Sequence, residues 1–140
     1  MKTVYVDMDG VLADFLGAIP VGYDGPVDEI DGLFENLEPM PGAIEAFHKL
    51  AEKYDVYILS TAPWDNPGAW TDKLLWVKKY LGEVAKKRLI LSHNKHLNAG
   101  EYLIDDRLKN GAEKFPGELI HFGTEAYPNW DAVLDYLIKE

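Results

Sequence analysis

The stretch Thr3-Val4-Tyr5-Val6-Asp7-Met8-Asp9-Gly10-Val11 organises the rest of the chain. Its first four residues are β-branched or aromatic and predict a buried strand. Two carboxylates, Asp7 and Asp9, follow at once, and Gly10 comes next. Carboxylates this close repel each other, so the arrangement makes sense when a cation lies between them. Taken alone, the pattern fits an Asp-rich turn equally well, because Asp and Gly are common turn formers.

Composition limits the class of protein. The 140 residues are 47% hydrophobic and 27% charged, which is typical of one soluble domain spanning 1–140. The absence of cysteine excludes disulfides and thiolate chemistry. A formal net charge of −10 argues against nucleic acid polymers and membranes as partners. No apolar run approaches the roughly 20 residues of a membrane span, and no signal-peptide pattern is present, so we expect a cytoplasmic protein.

Strands alternate with helices along the chain. After the first strand, further strands are predicted over 56–59, 89–91, 102–104 and 119–122. Helices are predicted from Pro41, from Pro67 to Gly82, and over 129–139. The predicted apolar faces are Ile44, Phe47, Ala51 and Tyr54; Trp70, Leu74, Val77 and Leu81; and Trp130, Val133, Leu134, Leu137 and Ile138. This alternation predicts an α/β fold, a three-layer sandwich whose mostly parallel five-stranded sheet has helices on both faces.

The segment over about 14–39 differs from the rest of the chain. It is rich in Gly, Pro and acidic residues, and its periodicity is poor apart from a short helix predicted over 27–34. We therefore expect an insertion that lies over the strand ends.

Polar residues follow each of the first four predicted strands. Thr61 follows the second strand, Lys95 the third, and Asp105 and Asp106 the fourth. In a parallel sheet these positions share one edge, where ligands bind, and carboxylates, a hydroxyl and an ammonium together suit phosphoryl transfer assisted by Mg²⁺. Each residue also has a simpler explanation as a turn cap, a surface lysine or a solvated acidic turn, but those explanations must all hold at four strand ends at once.

These residues resemble the motifs of the haloacid dehalogenase (HAD) superfamily of phosphohydrolases. Asp7 to Val11 is similar to its first motif, Thr61 to the second, Lys95 to the third, and Asp105-Asp106 to the fourth. Within that superfamily the chain is most similar to the 5′(3′)-deoxyribonucleotidases, over about 1–15 and 37–110. The resemblance implies a HAD-like Rossmannoid fold, Mg²⁺ as cofactor, and a phosphomonoester hydrolase that acts through an aspartyl-phosphate on small substrates such as (deoxy)nucleoside monophosphates.

The resemblance also implies a role for each matched residue. Asp7 is the expected nucleophile and a metal ligand, and Asp9 is the expected general acid and base, with its backbone carbonyl on the metal. One of Asp105 and Asp106 completes the metal ligands, and Asp106 is favoured. The expected phosphate-binding groups are Thr61, Lys95 and the loop amides near Met8 and Ala62.

The insertion is too short for the four-helix cap of the family, so a minimal cap is expected, with Tyr23 and Phe34 as candidate lids over the substrate. Two alternatives remain open at this point. One is a HAD phosphatase that acts on another small phosphate ester or on a phosphoprotein. The other is a module that binds Mg²⁺ and phosphate without turnover.

Overall fold

The computed structural model describes residues 1–138, which contain one sheet of five strands with every pairing parallel. The strands are β1 (Thr3–Val6), β2 (Asp55–Ser60), β3 (Leu89–Leu91), β4 (Tyr102–Asp105) and β5 (Glu118–His121). All five predicted strands are confirmed. β2 is one residue longer at each end, and β5 begins and ends one residue earlier than predicted.

β1 lies in the middle of the sheet, whose strand order is β3-β2-β1-β4-β5. Val4 pairs with Val56 on one side and with Tyr102 on the other. The chain moves outward from β1 to β3 and then crosses to β4, on the opposite side of β1. Such a reversal leaves a crevice at the carboxyl ends of the strands, where open α/β sheets bind ligands. The residues that follow β1, β2 and β4 therefore meet at one edge.

Three α-helices lie within the described part of the chain: α1 (Ala43–Lys53), α2 (Pro67–Tyr80) and α3 (Trp130–Leu137). Pro67 occupies the first turn of α2, as predicted. The Asn129 side chain caps α3 by accepting a hydrogen bond from the Ala132 amide at 3.0 Å. The predicted end of α3 at Lys139 lies outside the described residues. Over 1–138, no helix is long and apolar enough to cross a membrane.

Two of the predicted apolar faces are wrong in detail. In α2, Leu74 is 42% exposed and Trp70 is only partly buried. The buried residues of α2 are Ala69, Lys73, Trp76 and Val77. Those of α1 are Ala43, Ala46, Phe47 and Leu50. The face of α2 is rotated because the insertion packs against this helix, and the Trp76 indole Nε1 donates a hydrogen bond to the Leu37 carbonyl at 2.8 Å.

Two hydrophobic clusters cover the two faces of the sheet. Val4 and Val6 point to one face, where residues of α1, α2 and α3 form the larger cluster. Tyr5 points to the other face, where it packs with Leu103 and Phe115. Right-handed crossovers place the connections β3→β4 and β4→β5 on this second face, and these connections carry only short 3₁₀ helices. The predicted three-layer α/β fold is confirmed. The layer on the second face is thin, because it consists of loops and short 3₁₀ helices instead of α-helices.

The segment 14–39 forms three short 3₁₀ helices, two of which, Val27–Glu29 and Phe34–Asn36, take the place of the single short helix predicted over 27–34. Leu33, Phe34 and Leu37 anchor it in the larger cluster. The Asn66 side chain, at the start of α2, donates a hydrogen bond to the Asp28 carbonyl at 2.9 Å. These contacts dock the segment on α2, beside the carboxyl edge of the sheet.

Candidate active site

Asp7 and Asp9 leave the carboxyl end of the central strand β1 and line the same cavity. The chain turns tightly here because the Met8 carbonyl accepts hydrogen bonds from the amides of Leu12 and Ala13 at 2.8 and 2.9 Å. Asp7 is 6% exposed, so its charge is largely removed from water. A buried carboxylate is costly unless other groups compensate it.

Lys95 joins the carboxylates of two strands. Its ammonium Nζ lies 3.0 Å from Asp7 Oδ1 and 2.6 Å from Asp105 Oδ2, and all three side chains are buried. Burial opposes the charge on this lysine, but Asp7 and Asp105 outweigh that effect and raise the pKa of Lys95. The structure thus brings the residue predicted after β3 to the residues predicted after β1 and β4. The pairing keeps the ammonium positive beside Asp7.

Three carboxylates lie close enough to share one cation. Ligand atoms of Asp7, Asp105 and Asp106 all fall within 4.8 Å of one another. Both oxygens of Asp105 already accept hydrogen bonds, from Lys95 and from the Arg107 amide at 3.0 Å. Asp106 Oδ1 is buried and has no hydrogen-bond partner within residues 1–138. An unpartnered buried carboxylate oxygen beside two others fits a divalent cation with hard oxygen ligands, and it favours Asp106 over Asp105 as the direct ligand.

Burial and charge repulsion raise the pKa values of two carboxyl groups in this cluster. Burial, followed by the charge of Asp7, raises the pKa of Asp105 to about 8, while Lys95 opposes the rise. Burial and the nearby Asp7 also raise the pKa of Asp106 to about 6, against the effect of Arg107. Without a cation the cluster therefore holds protons well above the ordinary range of aspartate. A bound divalent cation favours the ionised forms instead.

Lys73 pairs with the second carboxylate of the first motif. Its ammonium, fully buried on α2, lies 2.9 Å from Asp9 Oδ2 and 3.0 Å from Ser60 Oγ. It also lies 4.7 Å from the centre of the Phe34 ring. Burial and the charge of Asp7 raise the pKa of Asp9, and Lys73 opposes that rise. Sequence analysis missed this residue, although its spacing from Ala69 and Trp76 places it on one helical face with them.

Of the predicted phosphate-binding residues, Thr61 lines the cavity, whereas Met8 and Ala62 do not. Thr61 lines the cavity, and its hydroxyl donates a hydrogen bond to the Ser92 carbonyl at 2.7 Å. The hydroxyl must rotate to donate to a phosphate instead. Met8 and Ala62 are fully buried and are not among the residues that line the cavity. A role for their amides stays a prediction.

The cavity above these groups has a volume of about 150 Å³. That volume is below the roughly 300–1,000 Å³ of typical small-molecule sites, so it suits a phosphate and the start of a leaving group. The insertion supplies one wall, and the loop after β4 supplies another. The lining residues are Asp7, Asp9, Phe15, Asp28, Phe34, Thr61, Pro63, Lys95, Asp105, Arg107, Lys109 and Asn110.

The two candidate lid residues take different positions. Phe34 lines the cavity, but it is 1% exposed, because its ring stacks on Phe15 at 5.6 Å and lies against the Lys73 ammonium. Tyr23 is 40% exposed and outside the cavity lining, and its hydroxyl donates to the Pro26 carbonyl at 3.0 Å. Phe34 is thus part of a fixed wall. Contact of either residue with substrate stays a prediction.

A solved structure shares the fold over nearly the full length. It is described as "the putative HAD-hydrolase YfnB from Bacillus subtilis bound to magnesium", and it superimposes with a TM-score of 0.71 over 99% of each chain. Only 11% of the aligned residues are identical, so this likeness concerns the fold alone. The parallel five-stranded sheet has the same overall fold as that hydrolase.

Similar sequences lead to a narrower class. A protein of Vibrio phage KVP40, named "Putative 5'(3')-deoxyribonucleotidase", is 57% identical over 98% of this chain and 85% of its own length. Proteins of the same name from Staphylococcus aureus strain Mu50 and from Bordetella bronchiseptica are 32% and 36% identical, covering 82% and 73% of their own lengths. Together with the fold, these relatives define a phosphomonoester hydrolase of the HAD type.

Residues 28–130 match the family described as "5' nucleotidase, deoxy (Pyrimidine), cytosolic type C protein". The match includes three of the four predicted motifs, and the first motif, Asp7 to Val11, precedes the matched residues. The chain belongs to this family.

Proposed function

We propose that the protein is a Mg²⁺-dependent 5′(3′)-deoxyribonucleotidase that removes phosphate from deoxynucleoside monophosphates. The observation that carries this proposal is the network in which Lys95 contacts Asp7 and Asp105 while Lys73 contacts Asp9. It gives the two carboxylates of the first motif separate cationic partners. The names of the similar proteins support a nucleotide substrate.

Asp7 acts as the nucleophile. One carboxylate oxygen attacks the substrate phosphorus, the bond from phosphorus to the leaving oxygen breaks, and an aspartyl-phosphate forms. Lys95 supports this step because it lies 3.0 Å from Asp7 Oδ1 and fixes the carboxylate against the floor of the cavity. The same ammonium offsets negative charge on the phosphoryl oxygens.

Asp9 moves the proton. Its carboxyl group protonates the leaving alkoxide in the first step and accepts a proton from the attacking water in the second. Water then releases phosphate and restores the Asp7 carboxylate. Burial raises the pKa of Asp9, which favours the protonated form that the first step needs. Lys73 limits that rise, so that the group can still give up its proton to the leaving alkoxide.

Asp7, Asp106 and the Asp9 carbonyl would hold Mg²⁺, with Asp105 beside them. A bound Mg²⁺ supplies charge that neutralises phosphoryl oxygens during transfer. The unpartnered Asp106 Oδ1 and the spacing of the three carboxylates support this assignment. Thr61, together with the amides near Met8 and Ala62, would bind the remaining phosphate oxygens.

The insertion 14–39 acts as a reduced cap. It is fixed to α2 through Phe34, Leu37 and Asp28, and it forms one wall of the cavity without a helical bundle. A cavity of about 150 Å³ encloses the phosphate and leaves most of a nucleoside outside. We therefore expect modest discrimination between bases, with deoxynucleotides preferred over unrelated phosphate esters.

Phosphate release from a panel of substrates tests the proposal. The purified protein is assayed with Mg²⁺ on dUMP, dTMP, dAMP, glucose 6-phosphate and a phosphoserine peptide, with EDTA as the metal-free control. We expect kcat/KM to be highest for the deoxynucleotides and activity to vanish in EDTA. If none of these compounds releases phosphate, the proposed phosphatase activity is contradicted. If the sugar phosphate or the peptide is preferred, the proposed deoxynucleotide substrate is contradicted.

A further inference from the structure

Lys109 and Asn110, in the turn 109–111, form an exposed part of the cavity wall. Lys109 and Asn110 both line the cavity and both are exposed, whereas Lys95 and Asp105 line its buried floor. Since the floor fits the phosphate, the turn lies where the leaving group would emerge. Its side chains are thus placed to contact the part of the substrate that differs from one phosphate ester to another.

The backbone of this turn is fixed against the segment that carries Lys95. Asn110 has a φ of 55°, in the left-handed region, and its carbonyl accepts a hydrogen bond from the Lys95 amide at 2.7 Å. Gly111 has a φ of 87°, and a Cβ there would lie 2.8 Å from the Lys95 nitrogen. The backbone of Asn110 and Gly111 is therefore packed closely against the backbone amide of Lys95. Asparagine is one of the few residues other than glycine that adopt this conformation readily.

The Asn110 carboxamide is free to bind a ligand. Within residues 1–138 its side chain makes no hydrogen bond that meets ordinary distance criteria, although its backbone does. A carboxamide presents an N–H donor and a carbonyl acceptor side by side. Asparagine pairs in this way with a base edge that offers a neighbouring acceptor and donor, as it does with adenine. Thymine offers the same adjacency at N3–H and O4.

We infer that Asn110 is a specificity-determining residue that hydrogen-bonds the polar edge of the nucleobase of the leaving group. The inference rests on the proposed nucleotidase function and adds the base to it. It assigns recognition of the base to the loop after β4 instead of to a cap. The recognised class is a phosphomonoester whose leaving group carries adjacent hydrogen-bond donors and acceptors.

The test compares two variants that tolerate the left-handed backbone. Asn110→Gly removes the carboxamide, and Asn110→Asp keeps the shape of the side chain but removes its N–H donor. Each is assayed with Mg²⁺ on dTMP and on 2-deoxyribose 5-phosphate, which lacks a base. We expect KM for dTMP to rise about tenfold in both variants, as for the loss of one or two hydrogen bonds, with kcat within about twofold. KM for 2-deoxyribose 5-phosphate should stay unchanged in Asn110→Gly. In Asn110→Asp the added negative charge repels both phosphate dianions, so the ratio of the two KM values is compared there.

Lys87→Gly provides a matched control, because Lys87 is the other non-glycine residue with positive φ in the described chain, at 62°, and lies outside the cavity. It should change neither KM. The inference is overturned if the ratio of KM for dTMP to KM for 2-deoxyribose 5-phosphate is the same in the variants as in the parent protein. If the parent hydrolyses neither substrate, the proposed function fails instead.

Discussion

Lys73 Nζ lies 2.9 Å from Asp9 Oδ2, so a fully buried cation on α2 faces the proton-transfer group proposed on β1. Within residues 1–138 the lysine also donates a hydrogen bond to Ser60 Oγ, at the end of β2. Burying an ammonium is expensive unless a carboxylate compensates it. The pair therefore links α2 to the two strands that border the cavity, and it fixes Asp9 in one position.

Removing Lys73 should impair both stability and turnover. In Lys73→Met, Asp9 loses its cation, and we expect the free energy of unfolding to fall by about 2 kcal/mol. That is below the cost for a fully buried pair because the Asp9 side chain is 22% exposed. We expect kcat to fall about 100-fold, since the pKa of Asp9 rises further without the lysine and Asp9 becomes a weaker acid toward the leaving alkoxide. Urea unfolding and steady-state kinetics measure the two effects.

A double-mutant cycle separates the pair from a general packing effect. In the Asp9→Asn background, Lys73→Met should cost little stability, because the lysine then has no carboxylate partner. Lys78→Met is the control on the same helix, at an exposed position, and should leave both quantities unchanged. Fully additive losses of stability would show that Lys73 and Asp9 are not coupled.

Gly10→Ala should weaken Mg²⁺ binding. Gly10 has a φ of 82°, and a Cβ there would lie 2.1 Å from Asp106 Oδ2. The methyl group must displace Asp106, so we expect the Mg²⁺ concentration for half-maximal activity to rise at least about tenfold. The left-handed backbone adds a stability cost of about 1–2 kcal/mol. Gly22→Ala has the same backbone cost, with a φ of 79° and open space around its Cβ. Equal Mg²⁺ requirements in the two variants would contradict the placement of Asp106.

The metal-free protein should lose stability as pH rises. The pKa values of Asp106 and Asp105, raised to about 6 and about 8, exceed the ordinary value of 3.8. The folded state therefore binds more protons than the unfolded state between about pH 4 and pH 8, and its stability decreases across that window. In EDTA we expect Tm to be higher at pH 6 than at pH 8, by an amount on the order of 4 °C.

Mg²⁺ should reverse this trend, because it binds the ionised carboxylates and stabilises the folded state more at pH 8 than at pH 6. Thermal unfolding with and without Mg²⁺ at the two pH values measures the effect, and Asp106→Asn should reduce it. A Tm in EDTA that increases from pH 6 to pH 8 would contradict the raised pKa values of Asp105 and Asp106.

Much of the fold could be predicted because parallel sheets impose a simple rule. Strands with short connections carry their following residues to one edge, so Asp7, Lys95 and Asp105 could be assigned to one cleft before any distance was known. The structure confirms the five-stranded α/β fold and places these three side chains in hydrogen-bond contact. Their chemical roles remain predictions until the variants are assayed.

The helix faces and Lys73 could not be predicted from periodicity alone. The stripe through Trp70, Leu74 and Val77 has the correct spacing, but the insertion covers the neighbouring stripe that contains Lys73 and Trp76. Which stripe is buried depends on a segment with poor periodicity of its own. Lysine is rarely buried unless it is paired, so the sequence alone favours a solvent-exposed position for Lys73.

The central proposal is that Asp7 forms an aspartyl-phosphate, and trapping that intermediate tests it most directly. The protein is mixed with dTMP and Mg²⁺, quenched within a turnover and reduced with borohydride, which converts an acyl phosphate at aspartate to homoserine. Peptide mass spectrometry should find homoserine at position 7 in the parent protein, while Asp7→Asn folds but releases no phosphate. Phosphate release with Asp7 unmodified, or an Asp7→Asn variant as active as the parent, would contradict the proposal.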